Sequence, residues 1–162
     1  MIIWIITTGG TIEGLEYNNE SEKNEATVSI ESLLQEINVS FEYCIDCAFS
    51  KDSRFITPDD RALLNEKINA ISSNHVLITH GTITMVETAT YLGKLDINKT
   101  IVLVGSFVPG TEKNSDASFN LGYAICALQT LEKGVYIAMN GNVFSWDKVR
   151  KNVAKNRFEC SS

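Results

Sequence analysis

The sequence predicts a three-layer α/β domain, doubly wound, in which a mostly parallel sheet carries helices on both faces. Three observations lead there. Apolar, β-rich runs alternate with stretches of helical periodicity along the chain. Two of the runs, "VLI" and "IVLVG", are continuously apolar, the pattern of strands covered on both sides in a parallel sheet. The 162 residues suit one domain, 1–162, and 44% of them are apolar, enough to build a core without staples.

The elements follow in order. "IIWII" (2–6) is a first strand. A polar stretch, "EGLEYNNESEKNEAT" (13–27), reads as a long loop or loose hairpin beside that strand's end, a place where lids occur. Ile30, Leu33, Leu34 and Ile37 share one helical face over 29–37, with Ser29 as N-cap. "VSFEYCIDC" (39–47) is a strand. "TPDDRALLNEKINAI" (57–71) opens on Thr, Pro and two acids, a helix-start signal. A strand at 75–79, a helix at 85–95, a strand at 100–106, a helix at 115–132 with Ser115 near its start, and a strand at 134–141 complete the alternation. Right-handed crossovers between parallel strands give the doubly wound arrangement. The segment 144–162 is basic and weakly patterned, and reads as chain leaving the domain rather than as a terminal helix.

Charge and composition narrow the function. The formal charge of −6 repels phosphate backbones, so nucleic acid and anionic membrane are not expected partners. "MIIWII" has no preceding positive segment and runs straight into Gly9-Gly10, so a strand is a better reading than a signal peptide. No stretch approaches a membrane span, and the expected location is the cytoplasm. Cys44 and Cys47 have C-x-x-C spacing, but on a strand residues three apart point to opposite faces. With only His75 and His80 elsewhere, no metal and no cofactor is expected.

Two apolar runs end alike, in "TTGGTI" (7–12) and "THGTIT" (79–84). In an open parallel sheet, ligands bind outside the carboxyl ends of the strands. Thr11 and Thr82 both follow such ends, as do Ser53, Ser106 and Asn140. Gly9, Gly10 and Gly81 let the backbone turn tightly and bring N–H groups toward a ligand. Two hydroxyls and such donors suit acyl transfer, in which one hydroxyl attacks a carbonyl. Threonine and glycine are also ordinary turn residues, and neither a dinucleotide fingerprint nor a Walker sequence accompanies them.

Four segments carry a resemblance: "TTGGTI", "ITHGTITMVETATYL" (78–92), "VLVGSFVPGTEKNSDASFNL" (102–121) and "MNGNV" (139–143). In order and spacing they are similar to the N-terminal domain of the bacterial-type L-asparaginase family. The family's second domain is not represented in these residues. The resemblance implies that Thr11 is the primary nucleophile, attacking a side-chain amide. It implies that Tyr17 is the loop tyrosine that assists, Thr82 the second catalytic threonine, and Lys151 the lysine paired with it. Ser53 matches the serine that contacts the substrate α-carboxylate, and Arg54 follows it where a small polar residue or Gln is common.

Ile83 departs from the pattern. The family has aspartate there, binding the substrate α-ammonium and completing a Thr-Lys-Asp relay; isoleucine does neither. An ammonium left desolvated and unpaired costs a few kcal/mol, to order of magnitude. Lys151, deprived of its counter-ion, is expected to titrate lower. Side chains of the second domain of a neighbouring subunit also complete the family's amino-group pocket. Both sources of negative charge are therefore missing here. Two readings follow: a weak or altered amidohydrolase acting on L-asparagine or a related small amide, or a small-ligand-binding, regulatory or scaffold module that keeps the fold without turnover. Self-association as a homo-oligomer is expected of either.

Overall fold

The computed structural model describes residues 1–14 and 28–161. Six strands form one sheet in the order β2-β1-β3-β4-β5-β6. They are β1 (Ile2–Thr7), β2 (Glu42–Cys47), β3 (His75–Thr79), β4 (Thr100–Val104), β5 (Gly134–Met139) and β6 (Asn142–Ser145). The first five pair in parallel, and β6 turns back antiparallel to β5. The order reverses between β1 and β3, which is where a doubly wound sheet opens its ligand crevice. Every residue of β4 and four of five in β3 are buried, so both faces of the central strands are covered.

The helices are α1 (Ile30–Glu36), α2 (Pro58–Ala70), α3 (Met85–Gly93) and α4 (Ala117–Thr130). Their starts follow the local chemistry. Ser29 accepts the Ser32 N–H, and Thr57 and Asp60 form a reciprocal capping box with Pro58 in the first turn. At α4 the cap position belongs to Asp116 rather than Ser115. The Ser115 hydroxyl accepts the Ala117 N–H, while the Asp116 carboxylate is engaged elsewhere. α4 packs on β3, β4 and β5, and α3 on β5 and α2.

The segment after 141 corrects the sequence-based expectation. It does not leave the domain. It forms β6 and then a hairpin of β7 (Val149–Asn152) and β8 (Arg157–Cys160). Phe144, Val149 and Phe158 are buried, and these few apolar positions fix strands too short for their period to stand out. Cys44 and Cys47 lie on β2 as free thiols. The expected loop at 13–27 falls largely outside the described residues; its first two residues end a 3₁₀ turn spanning Thr11–Glu13 and its Gly14 cap. No helix among the described residues is long and apolar enough to cross a membrane.

Candidate active site

β1 and β3 are neighbours in register, Thr7 opposite Thr79, so the turns that follow them leave the sheet side by side. The Thr8 hydroxyl donates to the Thr79 carbonyl at 2.7 Å and ties the two turns together. Gly9 and Gly10 have φ of 92° and 98°, a region glycine enters without strain, and they reverse the chain into the 3₁₀ turn that presents Thr11. A Cβ on Gly10 would lie 2.8 Å from the Gly81 nitrogen, and one on Gly81 would lie 2.6 Å from Ser53 Oγ. The missing side chains therefore let three segments converge: the turn after β1, the turn after β3, and the 3₁₀ turn Ser53–Phe55.

The convergence encloses a cleft of about 100 Å³ lined by Gly10, Thr11, Asp52, Ser53, Gly81, Thr82 and Ile83. Ser53 and Thr82 are buried, Thr11 is half-buried, and Ile83 is 55% exposed, so its side chain offers the cleft an apolar rim. Lys151 reaches in from β7 and donates to Thr82 Oγ1 at 2.9 Å. Its ammonium nitrogen also stands 5.3 Å from the centre of the Phe107 ring, a cation–π contact. Burial lowers the Lys151 pKa from its ordinary value, because a desolvated ammonium is disfavoured against the neutral amine.

Of the residues singled out from the sequence, Thr11, Ser53, Thr82 and Ile83 share the cleft, and Lys151 touches Thr82. Arg54 is not among the lining residues. Its backbone N–H and its guanidinium turn to Asp52, with Nη2 at 2.7 Å from Oδ2. Burial works to raise the Asp52 pKa, but the hydrogen bonds and charge of Arg54 outweigh it and hold the carboxyl below its ordinary value. Tyr17 lies outside the described residues.

Two supporting networks escaped the sequence reading. Beneath the Thr82 turn, His80 is fully buried, with Nδ1 2.8 Å from the Gly81 carbonyl and Nε2 2.9 Å from Thr88 Oγ1. A carbonyl only accepts, so Nδ1 carries the proton. Arg61 Nε donates to Thr88 Oγ1, which leaves the threonine proton for Nε2. Burial lowers the His80 pKa to about 4, and the ring stays neutral. The second network holds the hairpin. The Asp116 carboxylate accepts the Phe107 and Val108 N–H groups and an Asn120 N–H. Asn120 accepts the Asn140 N–H, and Asn140 accepts the Phe158 N–H. Two polar residues four apart at the start of an otherwise apolar helix were the signal available.

A parallel sheet with two threonine–glycine turns at its crossover point, one of them backed by a lysine, is the architecture of a small-molecule site at the carboxyl edge of an α/β fold. The comparisons make it specific. The family model described as "Asparaginase, N-terminal" matches residues 2–160. The chain belongs to the asparaginase family and corresponds to its N-terminal domain. It is 33% identical over 162 residues to the glutaminase-asparaginase of Acinetobacter glutaminasificans, covering 92% of this chain and 49% of that protein. It is 29% identical to L-asparaginase 2 of Bacillus subtilis, covering 92% of this chain and 43% of that protein. Among solved structures, the thermostable L-asparaginase from Thermococcus kodakarensis superposes with a TM-score of 0.82 at 28% identity, covering 99% of this chain and 51% of that one. The chain thus spans about half the length of the relatives it matches.

Proposed function

We propose that this chain carries out asparaginase-type amide hydrolysis with Thr11 as nucleophile. The observation that carries the reading is the Lys151–Thr82 contact of 2.9 Å at a cleft that Thr11 also lines. Thr11 Oγ attacks the amide carbonyl carbon and gives up its proton. The departing nitrogen gains a proton and leaves as ammonia, and an ester to Thr11 is left behind. Water, positioned by the Thr82 hydroxyl, then attacks the ester and regenerates Thr11 and a free acid. Lys151 serves as the base behind Thr82 in its neutral form, which burial favours. Ser53 contacts the substrate carboxylate at the buried end of the cleft, and Tyr17 assists Thr11 from the loop.

The specificity follows from Ile83. Among the described residues lining the cleft, Asp52 is the only ionisable one, and Arg54 already pairs with it. Among the described residues an α-ammonium therefore finds no uncommitted carboxylate there. The substrate is a small amide on which that group is absent or weakly recognised, with L-asparagine a poor member of the class. Residence in the cytoplasm is part of the same reading, and cell fractionation tests it.

Ammonia release from asparagine, glutamine and simple amides tests the chemistry. Wild type is expected to release ammonia from at least one of them, and Thr11→Ala to lose about three orders of magnitude of that rate. Equal traces from both proteins would sink the enzyme reading. A second reading, a ligand-binding module without turnover, is favoured by Ile83 alone. Calorimetric binding of aspartate with no ammonia release from any amide would select it.

A further inference from the structure

The turn that carries Thr82 has few ties of its own. It joins β3 to α3, and residues 80–84 belong to neither. At one end the His80 N–H donates to the Val104 carbonyl, and at the other the Thr84 hydroxyl donates to the Ser53 carbonyl. Between them the Gly81 carbonyl accepts no backbone N–H among the described residues; its partner is the His80 ring, with Nδ1 at 2.8 Å. A peptide group is planar, so holding the Gly81 carbonyl also fixes the direction of the Thr82 N–H and the path into that residue. The hold works only while Nδ1 carries the proton. In the other tautomer a ring lone pair faces the carbonyl oxygen, and both groups are acceptors.

What selects the tautomer lies on the far side of the ring. Nε2 stands 2.9 Å from Thr88 Oγ1, and a hydroxyl can give or take a proton there. Left alone, Thr88 could turn its proton to the Thr84 carbonyl one helical turn back and accept an Nε2–H instead. Arg61 biases the choice twice. Its Nε–H fills an acceptor position of Oγ1 at 3.1 Å. Its charge, beyond Thr88, favours the tautomer whose lone pair is turned toward the cation. Thr88 is fully buried and Arg61 is 9% exposed, so water screens that charge poorly. We propose that Arg61 is a positioning residue for the Thr82 turn: through Thr88 it sets the His80 ring in the tautomer that grips the Gly81 carbonyl, and so holds Thr82 in place at the cleft. The effect on rate rests on the hydrolytic reading; the lock on the tautomer does not. Glu87 meets Arg61 Nη2 at 3.1 Å, but its side chain is 68% exposed, so that pair adds little.

Long-range proton–nitrogen correlation NMR on the whole chain tests the lock. The chain has two histidines, so the His80 ring is read against His75 as an internal reference. Wild type is expected to show Nδ1 protonated and Nε2 bare at neutral pH. Arg61→Met keeps an apolar stem and removes both donor and charge, and it is expected to bring in the Nε2–H tautomer. For whichever amide wild type hydrolyses, kcat should then fall by about tenfold or more while KM stays within a factor of about two. Arg61→Lys, which restores a donor and a charge, should recover most of both effects, and Glu87→Gln should change neither. Should Arg61→Met fail to fold, Thr88→Val removes the intermediary hydroxyl and is read in the same way. A protonated Nε2 in wild type, an unaltered tautomer in the folded variant, or an altered tautomer with full kcat overturns the proposal. A wild type that releases no ammonia while its tautomer still depends on Arg61 would count against the Thr11 chemistry and leave the lock standing.

Discussion

At the scale of single residues, the proposed chemistry turns on Ile83 and Lys151. Lys151 has Thr82 and an aromatic ring as neighbours and a lowered pKa caused by burial. Its unfolded counterpart titrates at the ordinary 10.5. Between the lowered value and 10.5 the unfolded chain binds more protons, so stability rises with pH across that window and is reduced below it. A base that works when neutral gives an activity that also rises through the lowered value. Ile83→Asp places a carboxylate on the cleft rim, which favours charged Lys151 and raises its pKa. The rising limb of kcat/KM is then expected to move to higher pH. The KM for asparagine is expected to fall about tenfold or more, the worth of one charge-assisted contact. Amides without an α-ammonium should gain nothing in KM. Profiles of kcat/KM against pH for the two proteins check both points, and an unmoved limb would remove Lys151 from the base role.

At the scale of elements, the β7–β8 hairpin controls where Lys151 stands. Lys151 faces Phe158 across the hairpin, and the Phe158 ring lies 5.9 Å from that of Phe107, the ring under the lysine. Glu159 gathers Asn152 and Arg157, whose hydrogen bonds hold its pKa at about 2 and brace the same two strands. Phe158 is 2% exposed, so Phe158→Ala leaves a cavity and is expected to cost about 3–5 kcal/mol in urea unfolding. Hydrolysis should fall with it, because the lysine loses its platform; a folded variant with full activity would contradict this role. This hairpin also marks the limit of what the sequence discloses. β3 and β4 were legible because "HVLIT" and "IVLVG" are apolar throughout, and α2 because Thr57, Pro58 and Asp60 spell a helix start. β7 and β8 were not. Each has four residues, and "VRKN" and "RFEC" carry more charge than period. Thr11 and Thr82 could be read from their turns, whereas Lys151 was found only through the family resemblance. The Asp116–Asn120–Asn140 network depends on three segments meeting in space, which no local pattern announces.

At the scale of the whole molecule, three of the exposed apolar side chains stand near the cleft. Ile83 follows the carboxyl end of β3, Phe119 lies in the first turn of α4 against Gly141 after β5, and Val153 sits between β7 and β8. They are 55%, 60% and 78% exposed, and all belong to segments around the edge that carries the cleft. Exposed apolar groups around a cleft favour association, and the −6 charge is too small to prevent it at moderate ionic strength. A second copy of the chain is the partner we expect. A stable dimer covers roughly 800 Å² per partner, about a tenth of the 8342 Å² surface here. Sedimentation velocity across a dilution series should then show a reversible dimer or larger species, and Phe119→Ser with Val153→Ser should shift it toward monomer. Since the contact would rim the cleft, specific ammonia release is expected to fall on dilution in parallel with dissociation. A chain that sediments as a monomer at every concentration, with activity independent of dilution, would show that one copy completes the site by itself.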